Sequence, residues 1–385
     1  MFRFSEMPWT IFPDPILIKM NPKKEIKISG GGPSGLSAAI NLARSGYDVA
    51  LYEQRKKPGA KFNNGWQILE NYSSRIDVLD ELKQMNIDPD FYFLPQNSVD
   101  FFDNRLNSFR FKSKKPFGYY IKRGTNEDTL DSYLFNLALD SGVRIHLNTK
   151  IDPQETDIIA TGSRYAAGIS KEIVFKSDSK DILSTILDNE LTPYGFSYLF
   201  ILNGHGTIGT AILKDHKNIH KYAENVLLRF RQLYDFDIKE PLESVSSVGF
   251  FVPRTAVSVD NKFVGESAGF QDYLFGLGIR RAIQSGYLAA KSIIEGTDYD
   301  ILWKNYFEKN LLSSILNRFF YEKAGKTGYS ALLRAASKRD FQKIGYFLQN
   351  PSFFRLFISK IIMKFSGSKT ICRHPDRCDW CRIIK

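Results

Sequence analysis

The clearest pattern along the chain is a change of hydrophobic period near its beginning. From Lys24 to Ser29, apolar and polar residues alternate as in a β-strand. From Leu36 to Ala43, apolar residues recur every three or four positions as in a helix, and Gly46 supplies a C-cap. A second strand is predicted from Val49 to Tyr52. This order predicts a β–α–β unit at the start of a Rossmann-like α/β domain.

The turn between the first strand and the helix carries a glycine motif, Gly30 to Gly35, that matches G-x-G-x-x-G. In this motif the glycines allow a tight turn, the close approach of a pyrophosphate and close helix–strand packing. The helix N-terminus binds phosphate, and Glu53 at the end of the second strand can accept hydrogen bonds from a ribose. The unit predicts a dinucleotide site that fits NAD and FAD equally. Its predicted residues are Gly30, Gly32, Pro33, Ser34, Gly35, Glu53 and Gln54.

Two later segments each combine a short strand with a glycine turn. Asp157 to Gly162 predicts a buried strand that ends in a turn, and Phe263 to Gly269 predicts another. After Gly276 to Ile279 comes a helix rich in small residues, which suits close packing. The N-terminus of that helix can face a flavin carbonyl or a pyrophosphate.

Together these three segments resemble the FAD-binding fold shared by group A flavin monooxygenases and the geranylgeranyl reductase family. The resemblance runs in order from about Glu25 to Glu295 and implies FAD as the cofactor. It implies that the carboxylate of Glu266, usually Asp in the family, contacts the ribitol. It also implies that Arg123 helps to hold the phosphates, the alternative being a solvated loop arginine. The other residues implied are Gly162, Gly265, Gly278 and Ile279.

A second G-x-G-x-x-G, from Gly204 to Gly209, has a different context. It lies between two strand-like runs, Tyr198 to Leu202 and Thr210 to Leu213, and Asn203-Gly204 is typical of a hairpin turn. No helical pattern follows directly. We interpret this motif as a hairpin and not as a second nucleotide site. The expected reductant is then NAD(P)H that visits the flavin transiently, or a protein electron donor.

The segment from Ile173 to Pro253 separates parts of the FAD-binding pattern, as a substrate domain does. Phe196, Tyr198 and Phe200 alternate onto one face of a predicted strand and form an aromatic wall. Alternatively, this face packs on a neighbouring helix. The stretch resembles the Tyr-x-Trp-x-Phe-Pro motif that lines the isoprenoid pocket of the geranylgeranyl reductase family. The resemblance implies four substrate residues, Tyr194, Phe196, Tyr198 and Phe200.

The resemblance implies transfer of hydride from reduced FAD to a carbon–carbon double bond of an apolar, isoprenoid-type substrate. Members of the family often carry a Cys-Gly pair near the flavin, where this chain has Phe62-Asn63. A thiol proton donor is therefore absent there, and no catalytic residue is identified. Two alternatives stay open. They are an aromatic monooxygenase and a flavoprotein electron carrier whose C-terminal tail docks a redox partner.

Positive charge is concentrated at the C-terminal end. The chain carries a net charge of +11, and Ile301 to Lys385 holds 17 basic and 5 acidic residues. Such a segment predicts an anionic partner, and without a nucleic-acid-binding motif a membrane surface is favoured. Ser352 to Phe365 predicts a basic amphipathic helix that lies in a membrane interface, or packs its apolar face on the body.

All three cysteines lie in the last fourteen residues, so a reducing cytoplasm is expected. Cys372, His374, Cys378 and Cys381 match the ligand set of a Cys₃His zinc site. The alternatives are a reactive dithiol or free cysteines. The N-terminal region lacks the pattern of a signal peptide, and no apolar stretch is long enough to cross a bilayer. We expect a cytoplasmic protein with peripheral membrane contact.

These patterns predict an α/β fold in which a Rossmann-like FAD-binding domain carries an inserted mixed or antiparallel β-sheet substrate domain and a helical C-terminal segment. The predicted boundaries are an N-terminal extension at 1–24, the FAD-binding domain at 25–75, 119–170 and 255–297, the substrate domain at 76–118 and 171–254, a basic helical domain at 298–366 and a Cys/His tail at 367–385.

Overall fold

A six-stranded sheet forms the nucleotide-binding body of the computed structural model, which describes residues 25–163, 166–249 and 253–365. Its strands are β1 (Ile26–Ser29), β2 (Val49–Tyr52), β8 (Arg144–His146), β9 (Ile158–Ile159), β15 (Val257–Ser258) and β16 (Asn261–Phe263). They lie in the order β15–β16–β9–β1–β2–β8. Neighbours pair in parallel except β15 and β16, which form an antiparallel pair.

Helices cover this parallel sheet and bury its apolar faces. These helices are α1 (Pro33–Arg44), α2 (Val78–Gln84), α3 (Leu130–Asp140) and α5 (Ile279–Glu295), whereas α4 (Ile219–Leu233) packs on the inserted sheet. Helix α1 begins at Pro33, whose fixed φ suits the first helical position. It packs closely on α5, where a Cβ on Gly286 would lie 2.1 Å from the Ser34 carbonyl oxygen. This contact sets the first turn of α1 against the middle of α5.

A seven-stranded mixed sheet lies beside the nucleotide-binding body. Its strands are β5 (Ser98–Phe102), β6 (Ser108–Lys112), β10 (Gly168–Lys176), β11 (Ile182–Ile186), β12 (Phe196–Leu202), β13 (His205–Ile212) and β14 (Lys239–Val248). Their order is β14–β10–β13–β12–β11–β5–β6, with β5 and β11 parallel. Asn203 and Gly204 have φ values of 48° and 76° and connect β12 to β13. The hairpin interpretation of the second glycine motif is therefore confirmed.

A small antiparallel sheet connects the two bodies. Its strands are β3 (Gly65–Glu70), β4 (Phe93–Gln96) and β7 (Gly118–Arg123), in the order β3–β7–β4. Trp66 of β3 donates its backbone N–H to Thr207 Oγ1 of β13 at 2.8 Å. Its indole N–H donates to the His205 carbonyl oxygen at 2.9 Å. Together these elements confirm the predicted α/β class with an inserted mixed sheet.

The C-terminal segment is helical, as predicted. Its helices are α6 (Tyr299–Trp303), α7 (Lys309–Ala336), α8 (Phe341–Gln349) and α9 (Phe353–Phe365), with a π-helical turn at Lys304–Glu308. Gly325 has φ 59° and ψ −166°, which kinks α7. Among the residues that the structure describes, no helix combines the length and apolarity that a membrane span requires.

Helix α9 matches the predicted amphipathic helix to within one residue, but its apolar side faces outward. Ser359 is buried, and Arg355 donates to Asn317 Oδ1 of α7 at 2.8 Å. Phe353 and Phe354 are 87% and 68% exposed. Phe353 and Phe354 therefore do not pack on the body, although the helix itself does, through the half-buried Leu356. Arg355 and Leu356 thus both attach α9 to the body, the first by a hydrogen bond and the second by apolar packing.

A buried ion-pair network attaches the C-terminal segment to the body. Glu81 of α2 accepts a hydrogen bond from Arg280 Nε at 2.6 Å, and both side chains are almost fully buried. Its other oxygen accepts from the Tyr306 hydroxyl at 2.9 Å. Gln284 Nε2 donates to both carboxylate oxygens. One carboxylate thus links α2, α5 and the π-helical turn.

We expect Glu81→Gln to lower the free energy of unfolding by about 3 kcal/mol, because Arg280 would lose the charge of its closest buried partner. Asp80→Asn is the matched control on the same helix, because Asp80 pairs with Lys83 at 3.6 Å in solvent and should cost less than about 1 kcal/mol. Urea unfolding of both variants measures the difference. Equal losses would contradict the assigned role of Glu81.

Candidate functional site

One cavity of about 600 Å³ lies between the nucleotide-binding body and the seven-stranded sheet. This volume is in the range of small-molecule and cofactor sites. At one end it is lined by the first glycine motif, Gly30 to Ser34, together with Glu53 and Gln54. At the other end it is lined by Phe196, Tyr198 and Phe200. The structure therefore brings the predicted dinucleotide loop and the predicted aromatic wall into the same space.

The glycine loop is built from very close backbone contacts. Gly30 has φ 102°, and a Cβ there would lie 2.4 Å from the Ala160 carbonyl oxygen. A Cβ on Gly35 would lie 2.0 Å from the Gly30 carbonyl oxygen. Gly35 therefore serves in packing behind the loop, whereas an added Cβ on Gly32 would meet no atom within 4 Å. The loop is tight on its protein side and open toward the cavity.

The donor groups at this end suit the phosphates and ribose of a dinucleotide. Gly32 is the N-cap of α1 and provides no side-chain cap, and the first turn carries no acidic residue. Its free N–H groups favour an anion. Glu53 accepts from the Gly31 N–H at 2.8 Å through Oε2 and from the Arg55 N–H at 2.9 Å through Oε1. The Glu53 carboxylate is thereby fixed at the rim of the loop.

The second helix N-terminus, that of α5, also lines the cavity. Its N-cap, Gly278, likewise provides no side-chain cap, and the first turn is free of acidic residues. Gly278, Ile279 and Gly162 line the cavity, whereas Gly265, with φ 60°, packs on Ser34 behind it. The cavity thus receives two uncapped helix N-termini, and both favour negative or carbonyl oxygen atoms.

Glu266 is a half-buried residue that lines the cavity. Its Oε1 accepts a hydrogen bond from the Gly249 N–H at 2.8 Å. Burial raises the pKa of this carboxyl above its ordinary value, while Lys61, the Gly249 N–H and Arg123 oppose the shift. The side chain remains available as an acceptor or, when protonated, as a donor toward a bound molecule.

Arg123 is a lining residue and not a solvated loop arginine. Its Nε and Nη2 donate to the two carboxylate oxygens of Asp131 at 2.7 and 2.8 Å. Both side chains are buried, and the guanidinium lies 4.6 Å from the centre of the Phe62 ring. A bidentate pair of this kind fixes the orientation of the arginine. Arg123 therefore contributes positive charge to the cavity from a fixed position.

The aromatic wall is a continuous stack on β12. The rings of Tyr198 and Phe200 are 4.5 Å apart at 20°, and Phe196 meets Phe275 edge to face at 5.3 Å. Tyr194, predicted from the resemblance as a fourth substrate residue, lies outside the cavity lining. It has φ 57° in the turn before β12, and its ring lies 4.1 Å from Lys214 Nζ. The alternating aromatic pattern therefore applies only within β12, which begins at Phe196, and not to Tyr194.

Sequence reasoning missed two charged residues of the cavity, Glu172 and Lys61. Glu172 lies in the middle of β10, between Lys171 and Ile173, and accepts a hydrogen bond from the Tyr198 hydroxyl at 2.7 Å. No signal in the sequence marked this role, because β10 also carries Lys171 and Lys176 and a glutamate among them does not stand out. Lys61 lies between β2 and β3, two residues after Gly59. No motif or hydrophobic pattern there marked it as a residue of the cavity.

The predicted zinc ligands Cys372, His374, Cys378 and Cys381 lie outside the described residues. Within the described ranges, no group of three or more histidine, cysteine or acidic side chains is arranged to hold a metal ion.

Comparisons with known proteins agree with this architecture. A family model of an NAD(P)-binding Rossmann-like domain matches residues 28–73. The thiamine thiazole synthase of Thermotoga maritima is 35% identical over 72 residues, which is 16% of this chain and 29% of that protein. The chain therefore aligns with less than a third of the length of that relative, and the alignment covers only a segment of either protein.

Whole-chain similarity is found in solved structures. A geranylgeranyl bacteriochlorophyll reductase-like protein from Thermoplasma acidophilum superposes with a TM-score of 0.67 and 17% identity, covering 91% of this chain and 98% of that one. A flavin-dependent brominase superposes with a TM-score of 0.62 and 14% identity, covering 89% and 99%. The chain therefore has the fold of these proteins, with a Rossmann-like nucleotide-binding domain and an inserted sheet.

We expect Gly32→Ala to fold normally but to weaken FAD binding at least tenfold, because the new methyl group would point into the open side of the loop. Gly35→Ala should instead destabilise the protein itself, because its Cβ would overlap the Gly30 carbonyl. Thermal unfolding without cofactor and fluorescence titration with FAD separate these effects. Unchanged FAD affinity in a folded Gly32→Ala protein would contradict this assignment.

Proposed function

We propose that this protein is an FAD-dependent oxidoreductase that reduces a carbon–carbon double bond of an apolar, isoprenoid-type substrate. The observation that carries the proposal is that the glycine loop and the residues Phe196, Tyr198 and Phe200 line the same cavity. A cofactor bound by the glycine loop and an apolar substrate bound by the aromatic wall would then lie next to each other. The fold shared with a reductase-like protein from Thermoplasma acidophilum supports the same choice.

The residues present fit FAD. Gly30 to Ser34 would hold the pyrophosphate at the N-terminus of α1, and Glu53 would accept from the adenosine ribose. Gly278 and Ile279 would bring the N-terminus of α5 to the other part of the cofactor, near Glu266. When bound, reduced FAD supplies a hydride. The chain itself positions cofactor and substrate and excludes water.

An aromatic wall suits a hydrocarbon substrate for physical reasons. Burial of apolar surface contributes roughly 25 cal/mol per Å², without requiring a specific donor or acceptor. The stacked rings of Tyr198 and Phe200 and the edge-to-face pair of Phe196 and Phe275 form a stiff surface. Such a surface orients a long unsaturated chain by its shape.

A second candidate is oxygen-dependent oxidation of an aromatic substrate by the same fold. It is favoured by the flavin-dependent brominase, which superposes on 89% of this chain. The two candidates differ in what reoxidises the cofactor. A reductase passes electrons to its organic substrate, whereas a monooxygenase requires oxygen.

We expect the purified protein to bind FAD and to show the visible absorbance of oxidised flavin. Dithionite should bleach this absorbance without oxygen. Addition of an unsaturated polyprenol, still without oxygen, should restore it. A saturated polyprenol of equal length is the matched control and should leave the cofactor reduced. Stopped-flow absorbance measures both. Restoration only after oxygen enters would support the monooxygenase, and absence of a flavin spectrum after FAD is added would overturn the proposal.

We further propose peripheral contact with an anionic membrane through the exposed face of α9. Phe353, Phe354 and Phe357 are 87%, 68% and 55% exposed, and Lys360 lies exposed on the same helix. Aromatic and basic side chains together suit an interface between acyl chains and anionic headgroups. Contact of this kind would place the protein where isoprenoid lipids reside.

We expect replacement of Phe353, Phe354 and Phe357 by Ser to reduce binding to vesicles of phosphatidylglycerol and phosphatidylcholine at least tenfold, with little loss of stability. Leu228→Ser is the control, because Leu228 is 60% exposed on α4 of the inserted sheet domain. Co-sedimentation at two salt concentrations measures binding. Equal binding by all proteins would contradict the assignment of α9.

A further inference from the structure

Three adjacent strands place a carboxyl group and a phenol against each other inside the cavity. Glu172 of β10 and Tyr198 of β12 both lie opposite Gly209 of β13, the strand between them. Two strand spacings, about 10 Å, separate their backbones. The Tyr198 hydroxyl nevertheless reaches Glu172 Oε1 at 2.7 Å.

Gly209, the last glycine of the second motif, permits this contact. A Cβ at this position would lie 2.0 Å from Tyr198 Cζ and 2.5 Å from its hydroxyl oxygen. The tyrosine ring therefore crosses β13 through the space that a side chain at 209 would fill. The second glycine motif, which forms a hairpin, thus has a structural role beside the aromatic wall of the cavity.

The surroundings of the pair favour the protonated form of the Glu172 carboxyl. Burial raises the pKa of the Glu172 carboxyl, while Tyr198, Lys61 and Arg123 oppose the shift. Burial, followed by Glu172 and Tyr120, raises the pKa of Tyr198 well above its ordinary value, so the phenol keeps its proton. The carboxyl can hold a proton, and nearby positive charge stabilises the carboxylate after the proton leaves.

We propose that Glu172 is the proton donor of the reaction in this cavity and that Tyr198 is its positioning residue. The inference rests on the proposed reductase function. Reduction of a carbon–carbon double bond adds a hydride to one carbon and a proton to the other. The hydride, with its two electrons, comes from the reduced flavin. The proton comes from Glu172.

In this step the Glu172 O–H bond breaks as the new C–H bond forms on the substrate. The Tyr198 hydroxyl donates to Oε1 and directs the proton-bearing oxygen toward the cavity. The carboxylate that remains keeps its hydrogen bond from Tyr198 and takes a proton from water after the product leaves. No thiol is required, which agrees with Phe62-Asn63 at the position where related enzymes often carry Cys-Gly.

The kinetic test uses Glu172→Gln, with Glu243→Gln as the control, because Glu243 lies exposed on neighbouring β14 and pairs with Lys171. Glu172→Gln should slow polyprenol-dependent reoxidation 10²- to 10⁴-fold, the usual contribution of a general acid. Its FAD affinity and its rate of reduction by dithionite should equal those of the unaltered protein. Reoxidation by Glu172→Gln at the unaltered rate would overturn the proposal.

Tyr198→Phe tests the positioning role through the pH profile. Reoxidation should slow as pH rises and Glu172 loses its proton. Because the Tyr198 hydrogen bond lowers the pKa of Glu172, its removal should shift this fall to higher pH. A lower rate with an unshifted profile would show that Tyr198 acts only through packing and would overturn its assignment.

An infrared titration supplies a readout that does not depend on turnover. The unaltered protein should show the carbonyl stretch of a protonated carboxylic acid that Glu172→Gln lacks, at pH values where exposed carboxyls are ionised. Absence of this difference band would overturn the proton-donor assignment. If the band is present but polyprenol never reoxidises the unaltered protein, the proposed reductase function fails and the assigned role of Glu172 fails with it.

Discussion

The structure depends on several glycines, because the absence of a side chain lets a neighbouring backbone segment or aromatic ring approach closely. At Gly30, Gly35 and Gly286 the neighbouring carbonyl would lie within 2.0 to 2.4 Å of an added Cβ. These contacts set the glycine loop against β9 and hold α1 against α5. Because both helices begin at the cavity, the same contacts fix the two helix N-termini that would bind an anionic cofactor. Larger residues would separate the helices and open the site.

The same constraint operates at the opposite end of the cavity. Gly209 leaves space for the Tyr198 ring, and Tyr198 joins Glu172 across an intervening strand. The cavity therefore has phosphate-binding geometry at one end and a carboxyl–phenol pair within an aromatic wall at the other. A redox cofactor and an apolar substrate need this kind of pairing, because hydride transfer requires close approach in a dry space.

Local patterns predicted the nucleotide-binding body well. The first glycine motif, its flanking strands and the hairpin at Asn203-Gly204 depend on short-range sequence, and α1 and β2 occur where expected. Features that depend on pairing between distant strands were not predictable. The contact between Glu172 and Tyr198 needs the register of three strands, which the sequence alone does not display.

The sequence alone also did not show which face of α9 packs on the body. Its amphipathic pattern predicted a helix correctly, but the face that packs on the body is the one with Arg355, which donates to Asn317, and Leu356, which contacts the core. Tyr194 shows a similar limit, because the alternating pattern does not reveal that the strand begins at Phe196. In each case, a long-range contact or a turn conformation decided which way the side chains point.

A crystal structure of the protein saturated with FAD tests the central claim most directly. We predict pyrophosphate density at Gly30 to Ser34, with the isoalloxazine ring extending toward Glu266 and the Tyr198 wall. Density for FAD at another place, or an empty cavity at saturating FAD, would contradict the claim that this cavity holds cofactor and substrate together.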